Sequence, residues 1–298
     1  MKVANLLKSA ERALRPSPSP EWPDLLVQAD SAIAVASKQL GNGVLVASVL
    51  ARSPFACFTS AELGWIERIE HVRKAIERSK KIISVRDYGA RSPGEVLPEE
   101  EMARGIVIQR VIGDICRISS KSPSSCAVLF SLIRQLRPKS CLEMGTCTGI
   151  SGAYIGAALA LNGAGSLLTL EGDEAIANIA RQNFAALSLE HVKVAVGPFH
   201  LTLQVALAEA SPVDFMFVDG HHDERATLRY FEMALNYLTS DSVVVFDDIN
   251  WSDGMKRAWG AIASHPACAG QFSLADFGIA LVKGAGEIVR TGSSHANG

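Results

Sequence analysis

The chain has 298 residues, 48% of them hydrophobic and 20% charged, with a formal net charge of −2. This length accommodates one large domain or two modest ones, and the small net charge gives no electrostatic reason to expect a nucleic-acid partner. The six cysteines form no C-x-x-C pair and no zinc-ligand spacing, so we expect reduced thiols and a cytoplasmic protein.

The first third of the chain is predicted to be mainly helical. Residues 1–23 include four prolines and no signal-peptide pattern, which predicts a flexible segment. The apolar stretch at 32–50 is broken by Lys38 and two glycines, so no membrane span is expected. Residues 24–124 are predicted to form a helical region that acts as a lid, a dimer interface or the acceptor side of a site. Its clearest helix is expected at 61–81.

From residue 125 to residue 290 the pattern changes to alternating strands and helices. A helix at 125–136 comes first. Strands are then expected at 140–144, 166–171, 192–196, 213–219, 242–247 and 277–283, with helices at 150–162, 173–187, 200–209, 224–238 and 254–264. This alternation predicts an α/β domain whose parallel sheet is covered on both faces and binds ligands at the carboxyl ends of its strands. Residues 291–298 are expected to be a disordered tail.

The first of these strands leads into a glycine turn, Cys141-Leu-Glu-Met-Gly-Thr-Cys-Thr-Gly149, followed by a helix of small residues. Such a turn lets backbone N–H groups approach a ligand closely. Its spacing departs from G-x-G-x-x-G, and Glu143 would repel a pyrophosphate but attract an ammonium group. A nucleoside with a charged amine, such as S-adenosylmethionine (SAM), therefore fits better than a dinucleotide. The alternative is a close helix–strand contact that needs small residues.

Acidic residues end three of the later strands. Glu171 stands about 20 residues after the glycine turn, where a carboxylate can accept both ribose hydroxyls; otherwise it caps a helix or lies on the surface. Asp219 and the pair Asp247-Asp248 end two strands that should be neighbours. Crowded carboxylates need a cation, and hard oxygen ligands favour Mg²⁺ or Ca²⁺ over zinc. The alternative for the pair is capping of the next helix, although that helix is expected to begin later, near residue 252.

Two histidines, His221 and His222, follow the first of these aspartates. One of them is expected to point into the same cleft. An unperturbed imidazole pKa of roughly 6.5 suits a general base near neutral pH.

Residues from about 125 to 283 resemble class I SAM-dependent methyltransferases. The likeness is to the metal-dependent O-methyltransferases of the catechol and caffeoyl-CoA type and their bacterial relatives, methyltransferase family 24. Four segments carry it in order and spacing: LEMGTCTGISGAYIGAAL, LLTLEGDEAIANIARQNF, VAVGPFHLTL with DFMFVDGHH, and VVVFDDINWSDG. The resemblance implies a Rossmann-like, mostly parallel sheet whose last strand is antiparallel, with a helical N-terminal extension.

The resemblance also implies the following site. The methionine part of SAM would lie on Glu143, Gly145, Thr146 and Gly149, the ribose on Glu171 and Gly172, and the adenine beside Gly197, Pro198 and Phe199. Asp219, Asp247 and Asp248 would bind Mg²⁺, or another divalent cation such as Ca²⁺ or Mn²⁺, with Asp219 also beside the cofactor and in the catalytic centre. His222 would be the general base where the family commonly has lysine. Asp248 stands where the catechol type has asparagine, which adds negative charge.

The function implied is methyl transfer from SAM to a hydroxyl oxygen of a small molecule, by a protein expected to be a homodimer without nucleic-acid or membrane partners. Trp251, Tyr88 and Arg91 are predicted to line the acceptor site. The alternatives are a metal-dependent hydrolase and a non-catalytic dimeric scaffold on the same fold. A nicotinamide oxidoreductase is disfavoured, because it needs G-x-G-x-x-G and no carboxylate cluster.

Overall fold

The computed structural model of the protein describes residues 41–51, 58–89 and 98–283. The predictions for residues 1–23, residues 291–298 and Arg91 lie outside these ranges. The described helices are α1 (Gly41–Leu50), α2 (Ser60–Glu77), α3 (Glu99–Arg104), α4 (Ile112–Ser119), α5 (Pro123–Leu136), α6 (Ile150–Asn162), α7 (Glu174–Ala186), α8 (Phe199–Ala210), α9 (Glu224–Ala234) and α10 (Asp253–Ala263). The strands are β1 (Ile82–Asp87), β2 (Ile106–Val111), β3 (Ser140–Met144), β4 (Ser166–Glu171), β5 (Val192–Val196), β6 (Val213–Val218), β7 (Leu238–Phe246), β8 (Cys268–Leu274) and β9 (Phe277–Val282).

Seven strands form one sheet in the order β5-β4-β3-β6-β7-β9-β8. The first five in that order are parallel, and β9 runs antiparallel to both of its neighbours. The predicted Rossmann-like sheet with an antiparallel last strand is therefore confirmed. β8 was not predicted, because its mixed sequence CAGQFSL lacks the apolar run of the other strands, as an edge strand with one partner permits.

Alternate residues of the parallel strands face two separate hydrophobic cores. Cys141 of β3 belongs to a core that contains residues of helices α1, α2, α4, α5, α6 and α7, whereas its neighbour Leu142 belongs to a core with residues of α8, α9 and α10. Because successive side chains on a strand point to opposite faces, a sheet covered on both sides buries nearly every position of its central strands. Both cores lie behind the carboxyl edge of the sheet and hold that edge in place.

The N-terminal region is helical only in part. Residues 82–87 and 106–111 form an antiparallel hairpin of β1 and β2, in which Ile82 pairs with Val111 and Asp87 pairs with Ile106. The prediction of a helix as far as residue 81 is wrong by four residues, since α2 ends at Glu77. The many β-branched residues in IISVRD and IVIQRV are compatible with strands once the two segments pair.

α2 shares a core with the sheet domain through a buried polar network. Glu70 Oε1 accepts hydrogen bonds from Arg73 Nε at 2.9 Å and from the Tyr154 hydroxyl of α6 at 2.8 Å, and all three residues are buried. Ile66 and Ile69 of α2 are fully buried in the same core. The division into a region 24–124 and a domain 125–290 stays a prediction. Among the described helices, none is both long and apolar enough to cross a membrane.

Candidate functional site

The glycine turn lies between the carboxyl ends of β3 and β4. The backbone N–H groups of Gly145 and Thr146 both donate to the Leu170 carbonyl at 3.0 Å, which folds the turn back over the sheet. Gly145 and Gly149 have φ values of 98° and 85°, and Cys147 has a φ of 48°. Gly149 precedes α6 without a side-chain cap, so the first N–H groups of that helix have no capping side chain. An uncapped helix start beside a tight turn suits a polar ligand.

Glu143 is fully buried directly beneath this turn. Its Oε2 accepts a hydrogen bond from Thr169 Oγ1 at 2.6 Å, and Thr169 Oγ1 also lies 2.6 Å from Thr146 Oγ1. Its Oε1 has no hydrogen-bond partner among the described residues. Burial raises the pKa of Glu143 to about 7, against the lowering effect of the hydroxyl groups of Thr169 and Ser151. A buried carboxylate oxygen without a donor is the group that an ammonium ligand would satisfy.

Glu171 ends β4 and binds the turn from its other side. One carboxylate oxygen accepts from the Cys147 N–H at 2.8 Å, and the other accepts from the Asp173 N–H at 3.1 Å. Burial raises the pKa of Glu171 to about 7, against the lowering effect of these backbone donors. The two acids predicted for a nucleoside ligand are therefore both present at one turn.

The predicted metal ligands come together at the ends of β6 and β7. Asp219, His222, Asp247 and Asp248 each offer one ligand atom, and these atoms all lie within 4.8 Å of one another. β6 and β7 are hydrogen-bonded neighbours, and the Asp247 N–H donates to the Val218 carbonyl at 2.9 Å. The helix that follows begins at Asp253 with Ser252 as its cap, so the two aspartates do not cap it. Three carboxylates and an imidazole nitrogen are a donor set that suits a divalent cation with oxygen preference.

A lysine that the sequence analysis did not single out lies in this cluster. The Lys121 ammonium forms an ion pair with Asp247 Oδ2 and lies 3.5 Å from Asp248 Oδ1. Opposing the effect of its burial, the charges of the three aspartates raise the pKa of Lys121 well above its usual range. No motif marks this lysine, because it is 126 residues away from Asp247 in the chain.

The pKa values of two of the aspartates are shifted in opposite directions. Burial and the neighbouring charge of Asp219 raise the pKa of Asp247 well above its usual range. The pKa of Asp219 is lowered instead: burial alone would raise it, but the His222 hydrogen bond and the Lys121 charge outweigh that effect. Closely spaced carboxylates that share one site titrate as a unit.

The two histidines take different positions. His222 bridges the cluster, with Nε2 3.2 Å from Asp219 Oδ1 and Nδ1 3.4 Å from Asp248 Oδ2, and its ring lies 5.5 Å from that of Trp251. His221 is buried and directs Nδ1 to the Tyr230 hydroxyl, and burial lowers its pKa to about 4. His222 is therefore the histidine placed at the cluster, whereas His221 is held neutral behind it.

Backbone strain is concentrated at this site. Of the seven described non-glycine residues with positive φ, three lie in the glycine turn or the carboxylate cluster (Cys147, His222 and Asp248), and a fourth, His221, directly precedes His222. Such conformations cost about 1–3 kcal/mol each and persist where the surrounding structure enforces them. Their concentration here means that the fold fixes the direction of these side chains in advance.

The remaining predicted site residues flank the turn and the cluster. The Tyr88 ring covers Gly172, where an added Cβ would stand 2.6 Å from the ring. Gly197 follows β5 with a φ of 137°, and Pro198 caps α8. Phe199 packs edge-on against His221 at 5.2 Å, which places it under the 219–222 turn. Trp251 lies beside His222, and its buried Nε1 has no hydrogen-bond partner among the described residues.

Comparison with known proteins finds a family match over part of the chain and the same fold in solved structures. Residues 142–249 match the model of a family described as a methyltransferase domain. The chain is 30% identical to a catechol O-methyltransferase of Niastella koreensis over 132 residues, which is 44% of this chain and 58% of the relative. It thus spans less than two thirds of the length of that curated relative.

Two solved structures share the fold at low sequence identity. One is an O-methyltransferase from Bacillus cereus in complex with SAH (S-adenosylhomocysteine), with a TM-score of 0.50, 21% identity and coverage of 86% of this chain and all of the other. The second is an SAH-bound methyltransferase from Podospora anserina, with a TM-score of 0.53, 15% identity and coverage of 90% and 97%. Residues 142–249 are therefore similar to a family of methyltransferase domains, and the described chain shares the Rossmann-like fold of these two solved methyltransferases.

Proposed function

We propose that the protein is a SAM-dependent methyltransferase that transfers the methyl group to a hydroxyl oxygen of a small molecule, assisted by a divalent cation. One observation carries this proposal: the glycine turn and the carboxylate cluster meet at Asp219. The Asp219 carbonyl touches the turn at Gly145, while the Asp219 carboxylate belongs to the cluster. A methyl donor in the turn and an acceptor at the cluster would therefore be neighbours, as in-line transfer requires.

The cofactor would be held by the turn and its two acids. The unpartnered Oε1 of Glu143 would accept from the SAM ammonium group, and Glu171 would accept from the ribose hydroxyls. Gly145, Thr146 and Gly149 would present backbone to the methionine part, and Gly172 to the ribose. Gly197, Pro198 and Phe199 would lie on the adenine side. The methyltransferase-domain match and the SAH-bound structures of the same fold support SAM as the ligand.

Asp219, Asp247 and Asp248 would hold the divalent cation, with Mg²⁺, Ca²⁺ and Mn²⁺ all compatible with oxygen ligands. When bound, such a cation lowers the pKa of an acceptor hydroxyl. His222 would take the hydroxyl proton on a ring nitrogen, because it is the imidazole that faces the cluster. The oxygen would then displace the methyl group from the sulfonium, leaving the methyl ether and SAH as products. The sulfonium loses its positive charge in this step. The main contribution of the protein would be to position the two reactants.

Further parts of the proposal concern the surroundings of the site. Trp251 would form a wall of the acceptor site, since its ring lies beside His222. Tyr88 is proposed for the cofactor side, because its ring covers Gly172. The five described cysteines are free thiols, which supports a reducing compartment such as the cytoplasm. The homodimer stays a prediction, to be checked by the mass of the protein in solution.

The proposal is tested by calorimetric titration with SAM, in Mg²⁺ and again with chelator, followed by an acceptor screen with catechols and other hydroxylated molecules. We expect micromolar SAM binding by the wild type and by Asp247→Asn, together with loss of turnover in Asp247→Asn and in chelator. Glu171→Gln should instead weaken SAM binding. Turnover that survives both Asp247→Asn and chelator would remove the cation from the mechanism. Absence of SAM binding would reject the methyltransferase and favour a cation-dependent hydrolase or a scaffold.

A further inference from the structure

The carboxylate cluster already contains a positive charge supplied by the chain itself. The Lys121 ammonium contacts Asp247 and lies 3.5 Å from Asp248, and its side chain is only 17% exposed. It approaches two of the carboxylates that would bind a divalent cation. An ammonium and a metal ion on the same carboxylates repel each other, so each weakens the binding of the other.

The backbone of Lys121 is fixed between the glycine turn and the start of α5. On one side, the Ser120 hydroxyl lies 3.2 Å from the Thr148 hydroxyl of the glycine turn. On the other side, Ser122 caps α5 by accepting from the Ser125 N–H at 3.1 Å. Since both neighbours are anchored, any departure of the ammonium from the cluster requires rotation of the flexible lysine stem and not movement of the loop.

The charges explain why a cation is needed there at all. Three aspartates converge within a few ångströms, and among the described residues only Lys121 and His222 reach them with groups that can be positive. Buried carboxylates without a counter-charge are costly. Lys121 therefore stabilises the cluster when no metal ion is bound, and a metal ion makes that role redundant.

We propose that Lys121 is a tethered internal cation that occupies the divalent-cation position and must be displaced when the metal ion binds. This inference rests on the divalent-cation site of the proposed function. It assigns Lys121 a competing role that lowers metal affinity, because binding of the metal ion to Asp247 would weaken the Lys121–Asp247 ion pair. The alternative is a purely structural ion pair that joins the loop to the sheet and leaves metal binding unchanged.

Mn²⁺ titration of the full chain tests this inference without any assay of activity. Calorimetry on wild type, Lys121→Met and Lys121→Gln, with no SAM present, should give a Kd for Mn²⁺ that is lower by about tenfold or more in both variants, or about 1.4 kcal/mol. Lys193→Met is the matched control, because it removes one lysine charge from an exposed position on β5 and should leave the Kd unchanged. In chelator, Lys121→Met should melt below wild type, and Mn²⁺ should restore the melting temperature.

Three results would overturn the inference. Equal Mn²⁺ affinity in wild type and the Lys121 variants would leave only the structural ion pair. Weaker affinity in the variants would mean that Lys121 supports metal binding. If neither the wild type nor any variant binds Mn²⁺, both the competition between Lys121 and the metal ion and the cation in the proposed function are rejected. SAM titrated in parallel separates these failures from failure of the methyltransferase itself, which would appear as loss of SAM binding in the wild type.

Discussion

The carbonyl oxygen of Asp219 occupies the space that a Cβ atom at Gly145 would need. Gly145 also has a φ of 98°, which L side chains rarely adopt. We therefore expect Gly145→Ala to destabilise the protein by more than about 2 kcal/mol and to abolish SAM binding. Chemical denaturation and calorimetry check the two effects. Gly64→Ala is the control: Gly64 lies in α2 with open space around it, and alanine there should be neutral or stabilising by about 0.5–1 kcal/mol.

Glu143 predicts a pH dependence of stability in the ligand-free protein. Its pKa is raised by burial from 4.5 to about 7, so the folded state holds this proton more tightly than the unfolded state. The resulting stability is fully present below about pH 4.5 and is lost as the pH rises through about 7. The free energy of unfolding of Glu143→Gln, taken relative to that of the wild type at the same pH, should increase by up to about 3 kcal/mol between pH 5 and pH 8. Denaturation at both pH values measures this, and an equal difference at both would contradict the buried carboxyl.

The raised pKa of Glu143 also predicts that SAM binding releases a proton. An ammonium beside Glu143 favours the ionised carboxylate, so SAM affinity of the wild type should rise from pH 6 to pH 7.5. The rise should be smaller in Glu143→Gln, which lacks this carboxyl group. Calorimetry in buffers of different ionisation enthalpy counts the released protons. A wild type that releases no more protons than the variant would show that the ammonium group binds elsewhere.

Tyr88 is expected to contribute to cofactor binding through its ring. The ring covers Gly172 directly after Glu171, at the edge assigned to the nucleoside. Tyr88→Ala should raise the Kd for SAM by about tenfold, or about 1.4 kcal/mol, because it removes the ring that packs on the glycine proposed to bind the ribose. Tyr88→Phe keeps the ring and should bind SAM as the wild type does. If the alanine variant binds SAM normally and only acceptor KM changes, Tyr88 belongs to the acceptor side, as the sequence analysis expected.

Tyr154 is expected to matter for stability and not for binding. Its hydroxyl donates to the buried carboxylate of Glu70, so Tyr154→Phe removes one of the two donors of a buried charge. We expect a loss of about 1.5–3 kcal/mol of unfolding free energy with unchanged SAM affinity. Tyr237→Phe also removes one hydroxyl, from a tyrosine that packs on the opposite face of the sheet, and should cost less. Equal losses in the two variants would argue against a special role for the network.

Most of the sheet and the carboxylate edge could be predicted from the sequence, because their signals are local. Apolar runs that lead into Glu171, Asp219 and Asp247 indicate both the strands and the carboxyl ends at which these acids lie. The glycine turn can also be predicted from the sequence, since its conformation needs glycine at fixed spacing. Once β6 and β7 are neighbours in the sheet, their terminal acids must meet.

What escaped prediction depends on contacts between distant parts of the chain. Lys121 belongs to no sequence motif, and only the tertiary fold brings it to Asp247, 126 residues away in the chain. Thr169 was also passed over, although a hydroxyl inside the apolar strand LLTLE is a detectable exception. The β1–β2 hairpin was assigned to a helical region because a short run such as IISVRD supports either structure until its partner strand is known.

The bond between Tyr154 and Glu70 also has a consequence for biosynthesis. The two residues are 84 positions apart, so a ribosome adding about 5–20 residues per second makes Glu70 roughly 4–17 s before its partner exists. During that interval Ile66 and Ile69 have no α6 to cover them. The segment of α2 is thus translated early but buried late, and a nascent chain of this protein should expose it to chaperones until α6 has emerged.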